Sequence, residues 1–362
     1  MVKAKRESGI ELLRIIAMVQ IVYLHLYQYS GLRVTSIASG EIDGFVTTLA
    51  WVLCRTPVDV FIMISGYFMI TAKFNIKKTW GKVANVWGAM IFYSISIAVI
   101  YFMFNPNKIN NLTVASALLP FFSRKWYFLT NYIIIMLLSP FINKLLVSIS
   151  KRQYQYLLAL TILIFSVWAT LSKVDVLDEV LGIHKVLDPY YGKSLTGFIM
   201  MYIIGGYLRL YCPQKYDEHG ITTPNIIYLL GFLLLCVVDI GLYYWLPEYK
   251  HVFGMFNNPI VLAESALLLL FFRDLYIFSD KINLVASTTL GIYIIHEHPY
   301  VRECIWNLIS FRDKWLYDTI IYIPLAILAC ALVFVLCGAI EYGRVKLFGF
   351  LGEVFTFEKK IE

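Results

Sequence analysis

The sequence predicts an all-α fold, a polytopic membrane helix bundle of about ten transmembrane helices with both termini cytoplasmic. Two observations about composition lead there. The 362 residues are 59% hydrophobic and only 15% charged, whereas soluble domains run to about 45–50% apolar and about 25% charged. Aromatic residues make up 16% of the chain, with 26 Tyr, 25 Phe and 8 Trp, a supply suited to lining many membrane–water boundaries. The third observation is positional: stretches of about 20 apolar residues, the length that crosses a bilayer as a helix, recur along the chain.

The first span is expected at 10–31, behind the basic stretch Met1–Arg6. No small-residue cleavage site follows, so the segment reads as an uncleaved helix rather than a secretory leader. The second, at 46–72, is long for a simple crossing, and Pro57 inside it predicts a tilt or kink. The third, 83–104, follows the lysine-rich loop Thr71–Lys82, and the fourth, 126–146, follows Arg124 and Lys125. The fifth and sixth lie at 154–173 and 194–212. The seventh and eighth, 225–246 and 258–278, each carry one isolated acid, Asp239 and Glu264. The ninth, 284–306, holds the cluster His296, Glu297 and His298 before Pro299, and the tenth is 318–342. About twenty residues, 343–362, are left as a short cytoplasmic tail, with no further domain expected beyond it.

The net charge of +7 reads as topology and not as a nucleic-acid surface, because cytoplasmic loops collect Lys and Arg. With the N-terminus inside, the cytoplasmic segments hold 18 Lys and Arg and the outer loops 10. An even number of spans agrees with that arrangement. Six cysteines without CxxC spacing read as reduced packing residues. No internal repeat interrupts the pattern, so function is expected within the bundle or at its faces.

The first span, "ELLRIIAMVQIVYLH", carries Arg14 and His25 inside an apolar run. Eleven residues at 100° each return to nearly the same face, about 16 Å further along the axis. One helix face therefore bears a cation near the cytoplasm and an imidazole in the outer half. Ionisable groups at membrane depth are costly and mark functional paths, although an interfacial arginine can also snorkel.

Four blocks, in order, resemble the acyltransferase 3 family of integral membrane acyltransferases. They are Arg14 and His25 on the first span, "PVDVFIMISGYFM" (Pro57–Met69), "WYFLTNYIIIMLLSPFI" (Trp126–Ile142) and "LGIYIIHEHP" (Leu290–Pro299). The resemblance runs from the first to the ninth span, so 1–342 is expected to be one membrane acyltransferase domain. It implies a bacterial cytoplasmic-membrane enzyme that moves an acyl group, commonly acetyl, from cytoplasmic acyl-CoA to a hydroxyl of an extracytoplasmic glycan. Acetyl-CoA would then be the donor substrate, with no bound cofactor. The expected partners are a glycan acceptor, free or lipid-linked, the lipid bilayer and polysaccharide-assembly proteins, and no nucleic acid.

Under this reading His25 is the general base or an acyl-carrying nucleophile, and Arg14 holds CoA phosphate through charge-assisted bonds. His296 matches the late signature and supports His25 or lines the acceptor side. Arg55 and Asp59, spaced i,i+4, form a self-neutralising pair; alternatively Asp59 orients His25 and Arg55 binds a substrate. Lys73, Lys77 and Lys78 stand where family members often carry paired arginines, and lysine lacks the bidentate fork. Trp126 and Tyr127 serve as an aromatic belt or a sugar platform, and Glu297 lines the acceptor side. Ser65 and Gly66 read as a close helix contact. No metal site is expected, because His296 and His298 at i,i+2 point to different helix faces. His184, His219 and His251 fall in loops and receive no role. The rival readings are an exporter of polysaccharide or small molecules and a structural partner for a glycosyltransferase. The missing inverted repeat speaks against the first, and the buried Arg14 and His25 against the second.

Overall fold

The computed structural model describes residues 8–33, 41–174, 191–214, 226–312 and 322–358, which are helices and their connecting turns, with no strand among the described residues. His184 and His219 lie outside them.

Helix α1 is Gly9–Tyr29, and the predicted second span resolves into α2, Glu41–Leu53, and α3, Pro57–Met69. The kink expected from Pro57 is a full break at residues 54–56. Proline has no N–H to continue a helix but suits the first position of a new one, and here it starts α3. Backbone freed at such a break inside a membrane must find partners in the protein. Gln20 of α1 supplies one, its side-chain amide donating to the Leu53 carbonyl at 2.7 Å.

Helices α4 (Ile76–Phe104) and α5 (Tyr127–Ser148) follow, then α6, Lys151–Leu171, which turns π-helical over Leu163–Trp168. Next come α7 (Leu195–Tyr211), α8 (Ile226–Trp245) and α9 (Pro259–Arg273). The predicted ninth span is three short helices, α10 (Asp280–Ser287), α11 (Thr289–Glu297) and α12 (Pro299–Leu308). The last helix, α13, runs from Tyr322 to Glu358, so the residues expected as a tail continue the final span as helix.

Seven segments are long and apolar enough to cross a membrane among the described residues: α1, the α2–α3 pair, α4, α5, α6, α8 and α13. The other three predicted spans are shorter or interrupted. Helix α7 has 17 residues and α9 has 15, their starts fixed by the side-chain caps of Ser194 and Asn258. The third stops at His298, which caps α12 ahead of Pro299. These three contribute to the buried centre, whereas α4, α8 and α13 expose leucine, isoleucine and valine outward, as lipid contact requires.

The tightest seam joins α3 and α7. A Cβ on Gly66 would run into the backbone carbonyl of Tyr202, and one on Gly205 into that of Met63. Small residues let membrane helices approach this closely. Asn143 of α5 clamps the same seam, donating to the Met69 carbonyl at 2.6 Å and accepting from the Tyr202 hydroxyl at 2.7 Å.

Candidate active site

Two cavities lie in sequence along α1. The first, about 250 Å³, is lined by Arg14, Met18 and Ile21 of α1, Phe61 and Ser65 of α3, Phe128 of α5, and Leu290 and Tyr293 of α11. The second, about 360 Å³, is lined by His25 and Gln28 of α1, Trp51 and Arg55 around the α2–α3 break, Tyr127 of α5, Lys193, and Glu297 of α11. Both α1 and α11 line the first cavity with their earlier residues and the second with their later ones, so the two cavities stack along one axis. Aromatic rings line the first cavity, with Phe128 5.5 Å from Tyr293 and 6.2 Å from Phe61, centroid to centroid.

His25 lines the second cavity. Its Nδ1 lies 2.9 Å from Nε2 of His296 and 3.2 Å from a carboxylate oxygen of Glu297. The His296 ring is itself held at its other end, Nδ1 lying 2.5 Å from the Ile292 carbonyl. A carbonyl only accepts, so Nδ1 of His296 carries the proton and its Nε2 is the acceptor. It follows that His25 donates from Nδ1, and in the neutral ring its Nε2 keeps a bare lone pair. That nitrogen has no protein partner among the described residues.

Glu297 is fixed in turn by Arg302, whose Nη1 donates to its other carboxylate oxygen at 2.8 Å. The Arg302 guanidinium lies over the Tyr29 ring, 4.6 Å from its centroid. An imidazole with a bare Nε2 and a carboxylate beside its Nδ1 can take a proton and hold the resulting charge.

Arg14 lies eleven residues before His25, at the far end of the first cavity. Its Nη1 donates to both Glu11 oxygens, at 3.0 and 3.1 Å, and the side chain is 26% exposed. Its remaining donors make no hydrogen bond among the described residues. Lys73, Lys77 and Lys78 are exposed on the α3–α4 connection and in the first turn of α4, and none of them lines the Arg14 cavity. Lys73 instead borders a separate hollow of about 30 Å³ with Lys82 and Asn143.

The expected Arg55–Asp59 pair does not form. Only Asp59 belongs to α3, so the i,i+4 spacing has no continuous helix behind it. Arg55 instead meets the Asp239 carboxylate of α8 and the Phe253 carbonyl. Asp59 is fully buried, its oxygens without a hydrogen-bond partner among the described residues, and no contact joins it to His25. Glu297, expected on the acceptor side, lines the second cavity and also occupies the orienting position beside His25.

Trp126 is 0% exposed, because the turn Arg124–Trp126 tucks it against the His298 ring at 5.4 Å. It is neither at the interface nor open to a sugar, whereas Tyr127 does line the second cavity. Ser65 borders the first cavity with its hydroxyl donating to the Phe61 carbonyl, and Gly66 makes the close contact with α7. His298 caps α12, accepting from the Tyr300 N–H at 3.3 Å.

Lys193 escaped the sequence reading, since it precedes α7 in a connection with no pattern to mark it. Its ammonium lies 5.4 Å from the Tyr127 ring centroid and 5.7 Å from that of Phe256. Burial lowers its pKa, and the Glu297 carboxylate acts in the opposite direction. Lys125, beside the buried Trp126, is lowered by burial to about 8.

Residues 7–342, nearly the whole chain, match a family described as an acyltransferase domain, the third family of that name. No curated protein and no solved structure matches the chain.

Proposed function

The chain belongs to the acyltransferase 3 family, and from that premise we propose that this multi-pass membrane acyltransferase is an O-acetyltransferase. Its donor is cytoplasmic acetyl-CoA, its acceptor a hydroxyl of an extracytoplasmic polysaccharide, and its location the bacterial cytoplasmic membrane. The observation that carries the reading is His25, its Nδ1 held by His296 and Glu297 and its Nε2 bare, in the wall of the second cavity.

The donor enters from the Arg14 side. Arg14 binds CoA phosphate with the donors that Glu11 leaves free, and Lys73, Lys77 and Lys78 attract the same phosphates from the surface. The apolar first cavity takes the pantetheine arm, and the thioester reaches His25 past Tyr293 and Phe128. The acceptor occupies the second cavity, where Tyr127 and Trp51 offer ring faces to a sugar.

His25 Nε2 removes the proton from the acceptor hydroxyl, whose oxygen forms a bond to the thioester carbonyl carbon. The C–S bond then breaks, and the imidazolium returns the proton to the departing CoA sulfur. Glu297 steadies the imidazolium between those events, as a carboxylate does beside a catalytic histidine. Attack by Nε2 itself, giving an acyl-histidine that the acceptor then discharges, uses the same geometry.

The test is transfer of labelled acetyl from acetyl-CoA to glycan in membranes carrying the native chain or His25→Ala. Transfer that disappears with His25→Ala, in protein that still inserts and folds, supports the reading. Equal transfer by both removes His25 from the chemistry, and glycan export that depends on the protein without any label transfer favours an exporter.

A further inference from the structure

The second cavity is lined by one cation, Lys193, that no carboxylate pairs among the described residues. Arg55 is met by Asp239, and Glu297 is met by Arg302. Lys193 is left, half-buried, with no ion pair among the described residues. Its ammonium faces the rings of Tyr127 and Phe256, and the Glu297 carboxylate that lines the same cavity is taken up by Arg302.

An ammonium withdrawn from water without a counter-ion is unfavourable, and a resident carboxylate would remove the cost. The carboxylate that lines this cavity, Glu297, is already held by Arg302 and faces His25, and the groups set against the ammonium are the Tyr127 and Phe256 rings. Lysine over an aromatic ring keeps its charge while remaining open to an anion on its other side. His25 lines the same cavity, so a ligand bound by Lys193 lies within the chamber where the acceptor is proposed to react.

We infer that the acceptor is an anionic glycan, whose carboxylate or phosphate is received by Lys193 while a neighbouring hydroxyl faces His25. This rests on the acyl-transfer reading for the identity of the reaction, but the charge argument stands on the cavity alone. A carboxylate would come from an acidic sugar and a phosphate from a phosphorylated sugar or a lipid carrier, and both offer the same anionic oxygens.

The experiment measures equilibrium binding to the purified full chain in detergent, without acetyl-CoA. The three probes are cellotetraose, the same tetrasaccharide ending in glucuronic acid, and the same tetrasaccharide carrying a 6-phosphate. Native protein should bind at least one anionic probe about tenfold more tightly than the neutral one. Lys193→Ala should lose that preference and Lys193→Arg should keep it, with melting temperatures confirming that both variants fold. The probe that gains more identifies the source of the anion. Equal binding of all three, binding of none, or a preference that survives Lys193→Ala would overturn the inference. Since binding is read without the donor, such a result leaves acyl transfer untouched. Conversely, absent acetyl transfer with the anion preference intact removes only the acyl-transfer reading.

Discussion

Nδ1 of His25 and Nε2 of His296 lie 2.9 Å apart, and because His296 is anchored to the Ile292 carbonyl, this contact decides which nitrogen of His25 is bare. Removing the base should lower acetyl transfer by about 10²–10⁴-fold in His25→Ala. His296→Ala should also be slow, since Nδ1 loses its acceptor. His296→Gln, whose amide oxygen can accept, should recover part of the rate. Initial rates with labelled acetyl-CoA measure all three, and a fully active His25→Ala would sink the assignment.

Glu297 is the carboxylate nearest the imidazole, at 3.2 Å from Nδ1. Glu297→Gln keeps the shape and removes the charge that stabilises an imidazolium, so kcat should fall by about 10²-fold or more. Binding of acetyl-CoA should change little. A variant with native kcat would show that the imidazolium needs no carboxylate.

Arg14 stands about three helical turns from the base, too far to take part in bond making. Arg14→Ala should therefore raise KM for acetyl-CoA about tenfold, the worth of one charge-assisted contact, with kcat nearly unchanged. A fall in kcat at constant KM would place the arginine elsewhere in the reaction.

Lys125 offers a pH measurement outside the spans. Its folded pKa, about 8, lies below the ordinary 10.5, so the amine is protonated below about pH 8 and neutral above it. Between those two values the unfolded chain binds more protons, and this group's contribution to stability rises with pH. Acylation of Lys125 by a water-soluble amine reagent, followed by mass spectrometry, should show a midpoint near pH 8. A midpoint above 10 would mean that the side chain is solvated.

Gly205 touches the Met63 backbone across the α3–α7 seam. Gly205→Ala should force the helices apart and destabilise the fold by about 1–3 kcal/mol, read as a lower melting temperature in detergent. Unchanged melting would show that the seam is loose.

The face shared by Arg14 and His25 was legible because helical periodicity needs only one segment. The motif with His296 was legible too, and the structure brings that ring to His25. What escaped depends on where helices stop. Pro57 begins a new helix and cancels the Arg55–Asp59 pairing, and a local turn withdraws Trp126 from the surface. Glu297 reaches Nδ1 because α11 ends there, and Lys193 gains meaning only through rings contributed by distant segments. Of the predicted spans, seven are long apolar helices among the described residues; the others are shorter or interrupted, because hydropathy sees apolar length but not the caps at Ser194, Asn258 and His298 that shorten helices.

The aromatic wall of the first cavity also acts as insulation. Each elementary charge crossing a bilayer exchanges about 2.3 kcal/mol per 100 mV with the membrane potential, so a continuous watery bore through the bundle would discharge the cell. Phe61, Phe128 and Tyr293 line the first cavity with ring faces that offer ions no ligands. Exchange of an acetyl group for the acceptor's hydroxyl proton moves no net charge through the bundle. It neither draws on the membrane voltage nor dissipates it, and turnover by this route should continue unchanged in a de-energised membrane.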